Sequence, residues 1–171
     1  MRRGLDTEDK LSHFLYDDLS DLSDPFLMKG MKEGVTRLLS AIDRKEKIVV
    51  YGDYDVDGIT STSILVRCLK GMGADVGYYI PRRETEGYGL NEKALLSLRK
   101  EGYTLLITVD CGISSAVLIA RKPEGLDIIV TDHHTPPEQL PTCIAVINPH
   151  QKDCPYPYKE LAGCGVAFMV A

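Results

Sequence analysis

Lys47-Ile-Val-Val-Tyr51-Gly-Asp53-Tyr-Asp55-Val-Asp57-Gly58 is the stretch whose reading decides the fold. Its first half is a short apolar run, and its second half sets three carboxylates at alternate positions where that run ends. A short apolar run closed by turn residues reads as a buried strand of a parallel sheet. Two later stretches share this build. Leu105-Leu106-Ile107 leads through Thr108-Val109 into Asp110-Cys111-Gly112, and Ile128-Ile129-Val130 leads through Thr131 into Asp132-His133-His134. In open α/β sheets, ligands bind beyond the carboxyl ends of the strands, where loops from separate strands meet. All three clusters can therefore converge on one sheet edge.

Carboxylates gathered in one pocket repel and raise one another's pKa unless cations neutralise them. An oxygen-rich donor set with a minority of imidazole suits manganese or magnesium better than a structural zinc, which favours thiolates. The reaction class this suggests is metal-assisted hydrolysis of a phosphate ester, with two ions holding the attacking and leaving oxygens. Simpler readings compete at each cluster. Asp53, Asp55 and Asp57 also suit a turn and an N-cap for a helix beginning near Gly58, and Asp110 suits a cap after its own strand. His133 and His134 also read as loop histidines. Three carboxylates exceed what one cap needs, and the shared strand-end placement favours a common site.

Outward from the first stretch, strands and helices alternate. Strands are expected near 47–51, 75–80, 104–109 and 127–131, with a shorter one near 144–147. Helices are expected near 58–72, 91–100 and 113–122, and an apolar helix begins at Gly163. This alternation predicts an α/β fold, a mostly parallel sheet flanked by helices. Residues 1–46 read as a helical lead-in, with Met31, Val35, Leu38, Leu39 and Ile42 at helical spacing behind an Asp24-Pro25 start signal. Residues 47–171 read as the α/β domain.

At 171 residues and 44% hydrophobic content, the chain is long enough to bury a core. It has no apolar run of about eighteen residues and no signal-like N-terminus, so a cytoplasmic protein without a membrane segment is expected. Five cysteines without a Cys-x-x-Cys pair point to reduced thiols rather than a disulfide framework or a zinc ribbon. The net charge of −5 argues against a large basic face gripping nucleic acid. Arg83 and the loop Glu86-Gly87-Tyr88-Gly89 are candidates for substrate contact: the glycines permit close backbone approach, and Tyr88 offers a stacking ring. A solvated ion-pair face of Arg82, Arg83, Glu84 and Glu86 is the alternative. His150, after Asn148-Pro149, is a candidate phosphate contact or a surface histidine.

Taken with Thr108-Val-Asp-Cys-Gly-Ile-Ser114, Ile147-Asn-Pro149, Asp153-Cys-Pro-Tyr-Pro157 and Leu161-Ala-Gly163, these segments resemble the DHH phosphoesterase superfamily. Within it they resemble the RecJ type, the single-strand-specific exonucleases. The resemblance runs from about Asp24 to Ala171 and implies the superfamily's N-terminal domain. It also implies Asp55 and Asp57 as metal ligands, Asp110 as the carboxylate bridging two Mn²⁺ or Mg²⁺ ions, and His133 as the imidazole ligand. Asp53 and His134 would stand close behind the ions or on the substrate side, with His134 in the catalytic set, and Asp132 would orient a neighbouring histidine. The implied activity is 5′ to 3′ hydrolysis of single-stranded DNA to 5′-mononucleotides in repair and recombination, with other repair proteins as partners. A further ligand Asp and a second domain would follow Ala171, so the chain is expected to be an N-terminal portion. The alternatives are a DHH-type hydrolase of oligoribonucleotides or cyclic dinucleotides, and a non-catalytic binding module.

Overall fold

The computed structural model describes residues 5–16 and 18–171. Five strands, β1 (Lys47–Gly52), β2 (Asp75–Tyr79), β3 (Leu105–Val109), β4 (Asp127–Thr131) and β5 (Ala145–Ile147), pair in parallel in the order β2-β1-β3-β4-β5. The three apolar runs of the sequence are the three central strands. Every residue of β3 is buried, as is all of β1 but Lys47 and all of β4 but Asp127. That two-sided burial is why these strands read as continuous apolar runs rather than alternating ones. The edge strand β2 is only partly buried along its length.

Helices cover both faces. On one side α2 (Met31–Asp43), α3 (Val56–Gly71) and α7 (Gly163–Val170) bury Met31, Leu38, Leu65, Leu69 and Val166 against Ile48, Val50, Ile107 and Ile129. On the other, α5 (Glu92–Lys100) and α6 (Ala116–Ala120) bury Leu95, Leu98 and Ile119 against Val49, Leu106 and Ile128. Two further helices are α1 (Glu8–Tyr16), which buries none of its residues, and the single turn α4 (Arg83–Glu86). No helix among the described residues is long and apolar enough to cross a membrane.

The helical lead-in differs from expectation in detail. Asp24-Pro25 starts a single 3₁₀ turn, Pro25–Leu27, in which the Asp24 carboxylate accepts the Phe26 N–H, and α2 begins only after Gly30. Within α2, Leu39 is exposed, while Met31, Leu38 and Ala41 join the core beneath the sheet. Arg37 pins the helix to the end of the sheet opposite the acidic clusters: its Nε donates to Asp127 at 2.8 Å and its Nη2 to Glu46 at 2.6 Å. Glu46 also accepts the Thr104 hydroxyl. The helix expected over 113–122 is shortened to Ala116–Ala120: the chain first turns through Gly112 at φ 105°, and the Ile113 N–H donates to the Asp132 carboxylate at 2.9 Å.

The strand order places the site. From β1 the chain crosses to β2 on one side and then returns to β3 on the other, so the topological switch lies between β1 and β3. This is where loops diverge and open a crevice at the carboxyl end of the sheet. Asp53, Asp55 and Asp57 follow β1, and Asp110 follows β3.

Candidate metal centre

Asp53 and Asp110 are 3% and 2% exposed, yet Asp53 Oδ1 and Asp110 Oδ1 receive no hydrogen bond. A buried carboxylate oxygen without a donor is costly unless a cation faces it. Asp110 also carries a positive φ of 59°, a conformation uncommon for a non-glycine residue and concentrated at functional sites. Its carboxylate lies within 4.8 Å of those of Asp53 and Asp55 in the β1 loop. His133 Nε2 stands 3.1 Å from Asp110 Oδ1, outside hydrogen-bond geometry, and 3.6 Å from Asp57 Oδ2. Neighbouring ligands of one octahedral ion, at bond lengths near 2.1 Å, lie about 3 Å apart.

Two groups of ligand atoms overlap here. Those of Asp110, His133 and His134 lie within 4.8 Å of one another, as do those of Asp53, Asp55 and Asp110. Asp110 belongs to both. The donors are carboxylate oxygens and imidazole nitrogens without a thiolate, a set that fits manganese or magnesium. Electrostatics agree with the geometry. Burial first, and then the Asp57 and Asp55 carboxylates, push Asp110 up to about 7. Burial and the neighbouring Asp55 likewise raise Asp53 above the usual carboxylate range.

Asp55 and Asp57 have second attachments. Asp55 caps α3, its Oδ1 accepting the Gly58 N–H at 3.0 Å. The capping reading and the ligand-group reading therefore coexist at one residue. Asp57 accepts the N–H groups of Gly163 and Cys164, each at 2.7 Å, so the first turn of α7 seats on its carboxylate. Burial opposes ionisation of Asp57, but the Cys164 and Gly163 donors outweigh it and hold the group below its ordinary range. Gly163 permits this approach. A Cβ there would stand 2.7 Å from Asp110 Oδ1 and 2.8 Å from Asp110 Cβ. Gly163→Ala is expected to push α7 off Asp57, cost about 2 kcal/mol in urea denaturation, and weaken Mn²⁺ binding measured by calorimetry.

Asp132 is 1% exposed and gathers the third cluster. Its Oδ1 accepts the N–H groups of His133 and His134 and contacts His134 Nδ1 at 2.7 Å, while Oδ2 accepts the Ile113 N–H. The Nδ1 contact fixes the ring of His134. Although burial works against protonation, this carboxylate raises the pKa of His134.

The substrate-side candidates divide. Tyr88 reaches the centre: its ring meets His134 edge-on at 6.2 Å, and its hydroxyl lies 3.5 Å from the Asp110 carbonyl. Gly89 is buried beside it. Arg83 sits over the Tyr54 ring at 5.5 Å, and its charge partly offsets the raised pKa of Asp53, so it borders the cluster. His150 is one step removed, its N–H donating to Asn148 Oδ1 while Asn148 Nδ2 donates to the His134 carbonyl. Sequence reasoning missed Gly163, Cys164, Asn148 and Tyr51 as parts of the site. Three of them act through backbone groups or an amide, and no spacing rule signals that.

Comparisons with known proteins agree with this geometry. Residues 47–171 match the DHH family, N-terminal domain. The chain is 50% identical to the single-stranded-DNA-specific exonuclease RecJ of Bacillus subtilis over 100% of this chain and 22% of that protein. It is 40% identical to the Escherichia coli RecJ over 82% of this chain and 25% of that protein. The chain thus spans between a fifth and a quarter of these relatives. A crystal structure of exonuclease RecJ bound to manganese superposes with a TM-score of 0.76 at 40% identity, covering 84% of this chain and 36% of that one. RecJ from Thermus thermophilus in complex with Mn²⁺ gives 0.70 at 36% identity, covering 84% and 20%. With the match covering all of β1 to α7, the chain belongs to the DHH family, through that family's N-terminal domain and on its RecJ side.

Proposed function

We propose that this chain carries the catalytic domain of a cytoplasmic single-strand-specific DNA exonuclease that works 5′ to 3′, releases 5′-mononucleotides and serves repair and recombination with other repair proteins. The observation that carries the reading is Asp110: buried, without a hydrogen-bond donor on Oδ1, and common to two groups of ligand atoms at the sheet's switch point. The names and manganese-bound structures of the RecJ relatives point the same way.

In this reading Asp55, Asp57, Asp110 and His133 would hold two Mn²⁺ or Mg²⁺ ions, and Asp53, buried within one of the two groups, would join them. The bound ions would neutralise charge on the phosphodiester and lower the pKa of a water in line with it. The residues supply the rest. The Nδ1 contact to Asp132 fixes the ring of His134, whose Nε2 would then face a phosphate oxygen on the substrate side. Arg83 and the Tyr88-Gly89 turn line the approach to the carboxylates and suit a backbone phosphate and a base. His150, behind Asn148, serves a more distant phosphate. The overall acidity of the chain assigns little of the grip on DNA to a basic face.

The test is release of labelled mononucleotide from single-stranded DNA in Mn²⁺, with 5′ and 3′ labels run in parallel and Asp110→Ala as control. Early release of the 5′ label, dependent on Mn²⁺ and Asp110, is the expected result. Release from RNA alone, or release unaffected by Asp110→Ala, would overturn the reading.

A further inference from the structure

Tyr88 stands between two glycines with left-handed backbones, Gly87 and Gly89, both at φ 77°. A turn of that kind has little rigidity of its own, since glycine is the residue least confined by its own sterics. It is nonetheless held from both sides. On one side Glu86 accepts the hydroxyl of Tyr79, the side-chain amide of Asn91 at 3.2 Å and the backbone N–H of Arg82 at 2.9 Å. On the other, the buried Tyr51 hydroxyl donates to the Gly89 carbonyl at 3.0 Å and accepts from the same Asn91 amide at 3.2 Å. The Tyr51 and Tyr79 rings stack at 5.0 Å, so the network has an apolar floor. Tyr51 lies on β1, two residues before Asp53. The strand that presents the carboxylates therefore also anchors the turn above them.

Resting on the proposed action on single-stranded DNA, we infer that Glu86 and Tyr51 are positioning residues that hold the Tyr88 ring over the cation site as a wall for the base of the terminal nucleotide. Tyr88 is 56% exposed, so its ring is open to a ligand while its hydroxyl end is tied near Asp110. Without the clasp, the ring would have to be ordered at the moment of binding, and the entropy of that ordering opposes binding. Stacking on a pre-set ring avoids this loss. Neither positioning residue belongs to the ligand groups around Asp110, so the clasp acts on the base and leaves the ion in place.

The experiment uses a single-stranded oligodeoxynucleotide with 2-aminopurine at its 5′ end and phosphorothioate linkages that resist cleavage. Its fluorescence quench is titrated against the chain in Mn²⁺. Mn²⁺ affinity and backbone hydrogen exchange over Gly87–Leu90 are measured alongside. Glu86→Ala is expected to weaken the quench about ten-fold, speed exchange in the turn, and leave Mn²⁺ affinity unchanged. Glu86→Gln, which keeps the acceptor for Tyr79 and Asn91, recovers most of the signal. Tyr51→Phe removes a single hydroxyl and reproduces the loss should Glu86→Ala fold poorly. Tyr88→Ala abolishes the quench without altering Mn²⁺ affinity. A quench that survives both Glu86→Ala and Tyr51→Phe overturns the inference, as does a Mn²⁺ affinity that falls in step with the quench. No quench with the unmutated chain would instead mean that the site does not take single-stranded DNA, and the underlying functional reading fails.

Discussion

Asp110→Asn is expected to raise the melting temperature of the metal-free chain and to abolish the further rise that Mn²⁺ gives the unmutated protein. The two signs have one cause. Burial and the neighbouring Asp57 and Asp55 carboxylates push Asp110 up to about 7, well above an unfolded carboxylate. Between those two pKa values the native state binds more protons than the unfolded chain, so stability falls as pH rises. Above about 7 the whole penalty is present, on the order of 4 kcal/mol for this one group. Asn keeps the shape and removes the charge, which relieves the apo protein and deprives both ligand groups of their shared member. Mn²⁺ affinity should fall by at least about a hundred-fold. In the unmutated chain, cation binding must displace the Asp110 proton at acidic pH. The apparent affinity is therefore expected to rise roughly ten-fold per pH unit below 7 and to level off above it. Calorimetry in buffers of different ionisation heat counts that proton. A melting temperature that falls in metal-free Asp110→Asn would show that the carboxylate is satisfied without a cation.

Asp132→Ala should produce the largest loss of stability. The carboxylate is 1% exposed and satisfies three backbone N–H groups as well as His134 Nδ1. Removing it leaves the buried Ile113 N–H without a partner and frees the part-buried donors of His133 and His134 to water, at a cost of about 3 kcal/mol. Because Ile113 belongs to the loop after β3 and the histidines to the loop after β4, the substitution also unties the two loops from each other. Urea denaturation should report the stability loss, and Mn²⁺ titration a loss of affinity through His133. Asp132→Asn retains one carbonyl acceptor and should fall between the two. A variant as stable as the parent would mean that the loops hold their course without the carboxylate.

How far the sequence can be read depends on the range of the forces involved. β1, β3 and β4 were legible because two-sided burial demands an unbroken apolar run, and such a run is visible in a window of a few residues. The helix near Gly58 was legible from its capping carboxylates. The helix near 113–122 was over-read: the chain turns at Gly112 and the Ile113 N–H goes to Asp132, 19 residues away in sequence, and no local pattern announces that contact. Asp24-Pro25 carried a genuine capping signal, but it caps a 3₁₀ turn, since Gly30 restarts the helix.

By itself, the sequence determined that three carboxylate and imidazole clusters end three buried strands, because strand propensity, burial and turn chemistry act over neighbouring residues. The tertiary structure alone decided that β1 and β3 are adjacent, so that Asp110 falls into both ligand groups. It also decided that α7 reaches back 106 residues to seat on Asp57, and that Tyr51 clasps the turn bearing Tyr88. Strand order and helix docking follow from the shape of the whole core, and a carboxylate's pKa follows from which charges that packing brings within a few ångströms. Neither quantity is a property of any local stretch of chain.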